Sequence, residues 1–268
     1  MTIAIALKIN DGIVLATDSA STIVGDENEE GVRPVHHTYF TADKLFNIVK
    51  GHPIGAMTWG TGSINNESIS TLVKDFRKES EKNDYCSVEQ VVNDFVSFLE
   101  SKITHDTSLG FLLTGYSIDK DHPEMFLINI EKGKIEQAVE INADDPLSIS
   151  WFGETIFLSR FLLSFDDRFI EILQDNDVGE EDIENIIMDC HNRLQLPLGV
   201  PAMPIQDAIE LVKFLAELSV NSSRFFPGPQ IIGGPIDIAV ITKHEGFKWI
   251  QRKHYYDNDL NLTTTKED

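Results

Sequence analysis

Residues 2–18 read TIAIALKINDGIVLATD. Two runs rich in Ile, Val, Leu and Ala, 3–9 and 13–18, flank Asn10-Asp11-Gly12. Asp-Gly between two apolar runs is a strong hairpin signal, because such turns need residues that tolerate positive φ. The chain therefore opens on a β-hairpin.

Working outward, a polar stretch from Ser19 to Asp43 follows. It carries Asp26, Glu27, Glu29 and Glu30, then His36 and His37. Gly25, Gly31 and Pro34 interrupt any period, which predicts mostly loop. A second hairpin is expected at 44–49 and 54–59, around Lys50-Gly51-His52-Pro53. Two helices come next. Ile69, Leu72, Val73 and Phe76 form an i, i+3, i+4, i+7 stripe, and Ser87-Val88-Glu89-Gln90 is a capping-box pattern opening the second. Strands are expected at 108–117, 124–130 and 134–139, with a short run at 149–152. Helices are expected at 154–165, 180–194 and 205–220. The last has so little polar surface that it should be deeply packed. A closing hairpin, 235–242 and 247–251, precedes a polar tail.

Paired strands in blocks, alternating with blocks of helices, exclude a doubly wound α/β fold and predict α+β layers with mainly antiparallel sheets. No linker or repeat divides the chain. A single domain over 1–253 and a flexible tail over 254–268 are expected.

The 268 residues hold 44 acidic and 22 basic side chains, a formal charge of −22. That field repels phosphate backbones and anionic lipid, so neither nucleic acid nor membrane is an expected partner. The start of the chain lacks a basic region and a long apolar core, and no stretch approaches the roughly 18 apolar residues of a membrane span. Cytoplasmic localisation is the expectation. Cys86 and Cys190, each in an apolar, helix-like setting, are predicted to be reduced, buried thiols.

The eight histidines show no metal-ligand spacing, so no metal is expected. There is no GxSxG elbow and no P-loop. Trp59-Gly60-Thr61-Gly62-Ser63 approaches a dinucleotide fingerprint, but Asn65 stands where the third glycine should be, and its strand belongs to a hairpin.

The N-terminus offers more. Thr2 follows Met1, and a small second residue favours methionine removal. That would leave a threonine whose α-amine lies beside its own hydroxyl. A hydroxyl is a weak nucleophile until a base takes its proton, and an N-terminal amine can be that base. A lysine nearby would keep the amine neutral near neutral pH, and a carboxylate would hold the lysine. Asp18 at the end of one expected strand and Lys44 at the start of another could meet Thr2 at one end of a sheet. As residue types alone, all three are commonplace.

The local pattern is more specific. Thr2-Ile-Ala-Ile-Ala-Leu and Asp11-Gly-Ile-Val-Leu-Ala-Thr-Asp18-Ser resemble the opening of proteasome β-subunits and their bacterial relatives. Ala42-Asp43-Lys44-Leu45-Phe46 resembles that family's lysine-bearing strand. The stretch IGAMTWGTGS, 54–63, resembles its next strand and glycine turn. Gly233-Gly234-Pro-Ile-Asp-Ile-Ala-Val-Ile241 and His244-Glu-Gly-Phe247 are similar to its late strand and closing hairpin.

The resemblance implies an N-terminal-nucleophile (Ntn) hydrolase fold, a four-layer αββα sandwich with two mainly antiparallel sheets. It implies a threonine hydrolase of peptide or other amide bonds. Thr2 would be nucleophile and base, Asp18 the orienting group, and Lys44 the group that tunes the amine. A backbone N–H at Gly60 or Gly62 would face the oxyanion, and Ser21 and Thr22 would border the substrate cleft. No cofactor is implied. The implied partners are a peptide or protein substrate, further copies of the chain in a ring or open ring, and an ATP-dependent unfoldase. The sequence departs from the family where Phe152 precedes Gly153, and at Pro229 and Ile232, where polar groups support the threonine amine. Those departures are the basis of an alternative: a catalytically inactive scaffold or binding protein.

Overall fold

The computed structural model describes residues 2–25, 34–105 and 107–253. Met1 and its removal, the acidic run 26–30 and the tail 254–268 lie outside them.

The opening hairpin forms from β1 (Ile3–Ile9) and β2 (Gly12–Thr17), with Ile9 opposite Gly12. Every residue of both strands is buried, because both faces are covered. The stretch expected as loop holds a ribbon, β3 (Ser21–Val24) with β4 (Val35–Tyr39). Its strands are largely exposed, so no inward-outward alternation marks them in the sequence. The second hairpin is β5 (Leu45–Asn47) with β6 (Ile54–Gly60). A small ribbon, β7 (Ser63–Ile64) with β8 (Glu67–Ser68), leads into α1 (Ile69–Glu79). The four residues of the expected stripe are the ones α1 buries, and Ser68 caps it by accepting the Thr71 N–H. A 3-10 turn, Ser80–Lys82, follows. The capping box at Ser87 and Gln90 opens α2 (Val88–Glu100).

Further on come β9 (Leu109–Gly115), β10 (Glu124–Glu131), β11 (Lys134–Ile135), β12 (Val139–Glu140) and β13 (Ser148–Gly153). The single strand expected at 134–139 is thus two short pieces, both paired with β10. The helices are α3 (Ile156–Leu163), α4 (Arg168–Asp175), α5 (Glu180–Leu194) and α6 (Ile205–Ser223). The sequence reading lacked α4, which buries none of its residues. The chain closes with β14 (Asp237–Thr242) and β15 (Gly246–Gln251).

A five-stranded sheet runs β13-β1-β2-β14-β15, and a six-stranded sheet contains β11-β10-β9-β6-β5 with β12 beside β10. All described pairings are antiparallel. Helices α1 and α2 pack on the six-stranded sheet around Phe76, Phe95 and Phe111. Helices α3 and α6 pack on the five-stranded sheet around Leu158, Val212 and Leu215. A third cluster, with Ala4, Leu15, Met57 and Leu112, joins residues of both large sheets. Each fully buried Leu or Ile in these clusters contributes roughly 1.5–3 kcal/mol.

The expected four-layer αββα sandwich is corrected by these elements. The described strands fall into four sheets, two of them separate two-stranded ribbons. Helix α4 has no fully buried residue, and α5 has only Ile183 while contacting α3 and α4. The molecule is a mixed α+β fold with antiparallel sheets. Apolar periodicity shows which faces need cover; it does not say which helix covers them. The cysteines also differ from expectation. Both are free thiols, but Cys86 is exposed and Cys190 half-buried. Cys86 precedes α2 instead of lying in it, and Cys190 rides on the largely exposed α5.

Candidate functional site

Asp18 sits directly after β2, at the end of a central strand of the five-stranded sheet, and is fully buried. Its Oδ1 accepts the Lys44 ammonium at 2.7 Å and the Ile3 N–H at 3.1 Å. Its Oδ2 accepts the Ala20 N–H at 3.1 Å and the Gly233 N–H at 2.9 Å. A carboxylate offers about four lone-pair positions, and four donors here use them. The donors come from four separated stretches of chain, so the carboxylate ties them to one point.

Lys44 precedes the short edge strand β5 and is 6% exposed. Its carbonyl accepts the Thr58 N–H at 3.0 Å, and the Ala42 N–H is given to the Ser19 carbonyl at 2.9 Å. Burial pushes the Lys44 ammonium below the usual lysine range, the Asp18 carboxylate opposes that, and the Lys253 ammonium adds to it. Ser19 also donates its N–H to Gly233 O at 3.0 Å and its hydroxyl to Pro235 O at 2.6 Å. The stretches at 18–20, 42–44 and 233–235 are thereby laced together.

Thr2 is 3% exposed and enters β1 between β2 and β13. Its carbonyl accepts the Glu154 N–H at 2.6 Å. Gly153 packs against that carbonyl at φ +88°, and a Cβ there would stand 2.0 Å from Thr2 O. Glycine is required on both counts. Burial raises the neighbouring Glu154 carboxyl above its ordinary range.

Thr2 and Lys44 both line a cavity of about 360 Å³. Its wall also contains Gly60 and Gly62, the expected oxyanion donors, and Ser21 and Thr22, the expected cleft residues. Asp18 lies behind Lys44, outside the lining. Gly60 ends β6 at φ +93°, with Ser108 O only 2.7 Å from where a Cβ would stand. Between the two glycines, Thr61 also lines the cavity. Its N–H and hydroxyl both go to Ser108 O, at 3.0 and 2.7 Å.

Compared with known proteins, the chain matches no family model and no curated protein.

The three departures marked in the sequence, Phe152, Pro229 and Ile232, are placed in and near the site, and beside them stand features the sequence did not mark. Phe152 stacks face to face on the cavity residue Trp59, with centroids 4.3 Å apart. Ile232 is fully buried and its carbonyl accepts the Ser223 hydroxyl at 3.2 Å, while Pro229 is exposed. The Gly233-Gly234 pair read as a strand entry; its N–H contact with Asp18 depends on a fold that brings residues 215 positions apart together. Asp43, Asp237 and Lys253 form a second set of buried or half-buried charges beside Lys44. Among the described residues no group of three or more His, Cys, Asp or Glu side chains is placed to hold a metal ion. No helix of the described residues is long and apolar enough to cross a membrane.

Proposed function

We propose that the chain is a proteasome-like threonine hydrolase of peptide or other amide bonds, with Thr2 as its nucleophile once Met1 is removed. The observation that carries this reading is the Asp18 carboxylate, which binds the Lys44 ammonium and the N–H next to Thr2 with a single oxygen. An N-terminal nucleophile needs a base, a cation that keeps the base neutral, and an anion that aims the cation; Thr2, Lys44 and Asp18 are of those types.

In this mechanism the Thr2 hydroxyl oxygen attacks the substrate carbonyl while the α-amine takes the hydroxyl proton. The oxyanion receives a backbone N–H from Gly60 or Gly62. The carbon–nitrogen bond then breaks, and the proton passes from the α-amine to the leaving amine. Water, deprotonated by the same amine, attacks the ester; the bond between the acyl carbon and the Thr2 oxygen breaks, the amine returns the proton to that oxygen, and the acid is released. Ser21 and Thr22 would border an extended peptide. The reading includes a cytoplasmic setting, self-association in a ring or open ring, and delivery of substrate by an ATP-dependent unfoldase. Replacing Thr2 by Ala should abolish turnover of an amide substrate while leaving the thermal midpoint in place. Undiminished turnover in that variant would refute the reading.

A second reading, an inactive scaffold or binding protein, draws on the Phe152–Trp59 stack and on buried Ile232. Apolar groups stand there in place of the polar support the resemblance implies. On that reading Thr2 takes no covalent label even when its amine is free.

A further inference from the structure

Lys253 follows β15, at the edge of the five-stranded sheet, yet its side chain is only 8% exposed. Its ammonium is shared by two carboxylates. It lies 3.3 Å from Asp43 Oδ1 and bonds Asp237 Oδ2, and its backbone N–H donates to Asp237 Oδ1 at 2.9 Å. Asp237, 2% exposed, is the first residue of β14 and lies opposite Thr17, one residue before Asp18. Asp43 adjoins Lys44, lines the cavity, and accepts the Ser70 hydroxyl from α1 at 3.2 Å.

The stretch 41–44 has no regular structure, and the strand it leads into has three residues at a sheet edge. Such a segment has little ladder bonding of its own to hold a functional lysine in place. The gap between the two sheets is bridged here by a buried cation between one carboxylate from each side. Burying that cation is costly unless it is paired, and two carboxylates supply the pairing.

We propose that Lys253 is a positioning residue for the Thr2 site: by clamping Asp43 to Asp237 across the two large sheets, it holds Lys44 against Asp18. This rests on the hydrolase reading for its catalytic consequence, but not for its structural one. Among the described residues, the charged groups around Lys44 include Asp18 from the end of β2, Asp43 from its own segment, Lys253 after β15 with Asp237 behind it, and Lys74 of α1 on the cavity wall. Lys253 disfavours the charged form of Lys44. Asp18 favours the charged form more strongly than Lys253 disfavours it, so the Lys44 titration reports whether Lys44 stays against Asp18.

The test uses the full chain with its native N-terminus, as wild type, Lys253→Met and Lys253→Arg. Two readouts are followed: the rate at which a peptidyl epoxyketone adds to Thr2, and the Lys44 ammonium signal in protein labelled with ¹⁵N-lysine, titrated with pH and assigned with Lys44→Met. Lys253→Met should slow labelling by about tenfold to a hundredfold, as misplacement of a catalytic constellation does. It should also make the Lys44 titration insensitive to Asp18→Asn, a substitution that lowers it in the wild-type background, and Lys253→Arg should restore both. Wild-type labelling with a Lys44 titration still lowered by Asp18→Asn in Lys253→Met overturns the proposal. If wild type itself takes no label, the hydrolase reading fails, and the clamp is decided by the sensitivity of the Lys44 titration to Asp18→Asn, expected in wild type and lost in Lys253→Met. If Lys253→Met does not fold, Asp43→Asn, which leaves Lys253 paired with Asp237, replaces it. A Lys44 titration still lowered by Asp18→Asn and an unchanged labelling rate in that variant also count against the clamp.

Discussion

The ammonium of Lys44 meets the carboxylate of Asp18 at 2.7 Å, with both groups out of water. A buried pair of this kind is held in place less by its own net stability than by the cost of breaking it. Replacing Asp18 by Ala leaves the Lys44 charge and three backbone donors without their acceptor. The expected loss is about 3–5 kcal/mol in unfolding free energy. The double variant Asp18→Ala, Lys44→Met should recover part of it, because the orphaned charge is then gone. Urea unfolding of the two single variants and the double variant checks this; additive losses would contradict it.

Gly153→Ala should disturb the start of β1. The backbone there has φ +88°, and the new Cβ would overlap Thr2 O. The φ penalty alone is about 1–3 kcal/mol, and relief of the overlap must shift Thr2. Both a lower unfolding midpoint and loss of Thr2 labelling are expected. A variant as stable and as reactive as wild type would show that the contact is not needed.

Asp166 gives a prediction for pH. Hydrogen bonds from Arg168 first, and then from Arg160, lower its carboxyl from the ordinary 3.8 to about 2. A carboxyl whose pKa falls on folding contributes stability that is present above its unfolded pKa. That contribution is lost as pH falls from near 3.8 through about 2. Both arginines are about half in water, so the effect at neutral pH is discounted to about 1 kcal/mol. Asp166→Asn should lower stability by that amount at pH 7 and by nothing measurable at pH 2. An equal difference at both values would contradict the assignment.

The parts of the fold that were legible in the sequence are those whose signal is local. The Asn10-Asp11-Gly12 signal announced β1 and β2, although the turn is Asn10-Asp11 and Gly12 already belongs to β2; the spacing of Ile69, Leu72, Val73 and Phe76 announced the buried face of α1, and Ser87 with Gln90 announced the start of α2. The ribbon β3–β4 buries little and leaves no alternation to read, while α4 has an apolar face of Phe169, Ile170 and Leu173 that spans only eight residues, short for a helix signal. Layer arrangement was misjudged for a related reason: the sequence of α5 does not state that it rests on other helices instead of a sheet. Thr2, Asp18 and Lys44 fall at ends of recognisable strands but are commonplace as residue types, and it was the resemblance of the stretches around them that made them candidates. Lys253 was not among them. Its meeting with Asp43 depends on the path of the whole chain between them, and a lysine after a final strand has no local mark of burial.

The most direct test of the central claim is intact-mass and peptide mass spectrometry of the protein, made with its native N-terminus and treated with a peptidyl epoxyketone. The account predicts that Met1 is absent, that one equivalent of reagent is bound, and that the adduct sits on Thr2. A free Thr2 amine that takes no label under conditions that saturate a reactive threonine would contradict the hydrolase reading and leave the scaffold reading in its place.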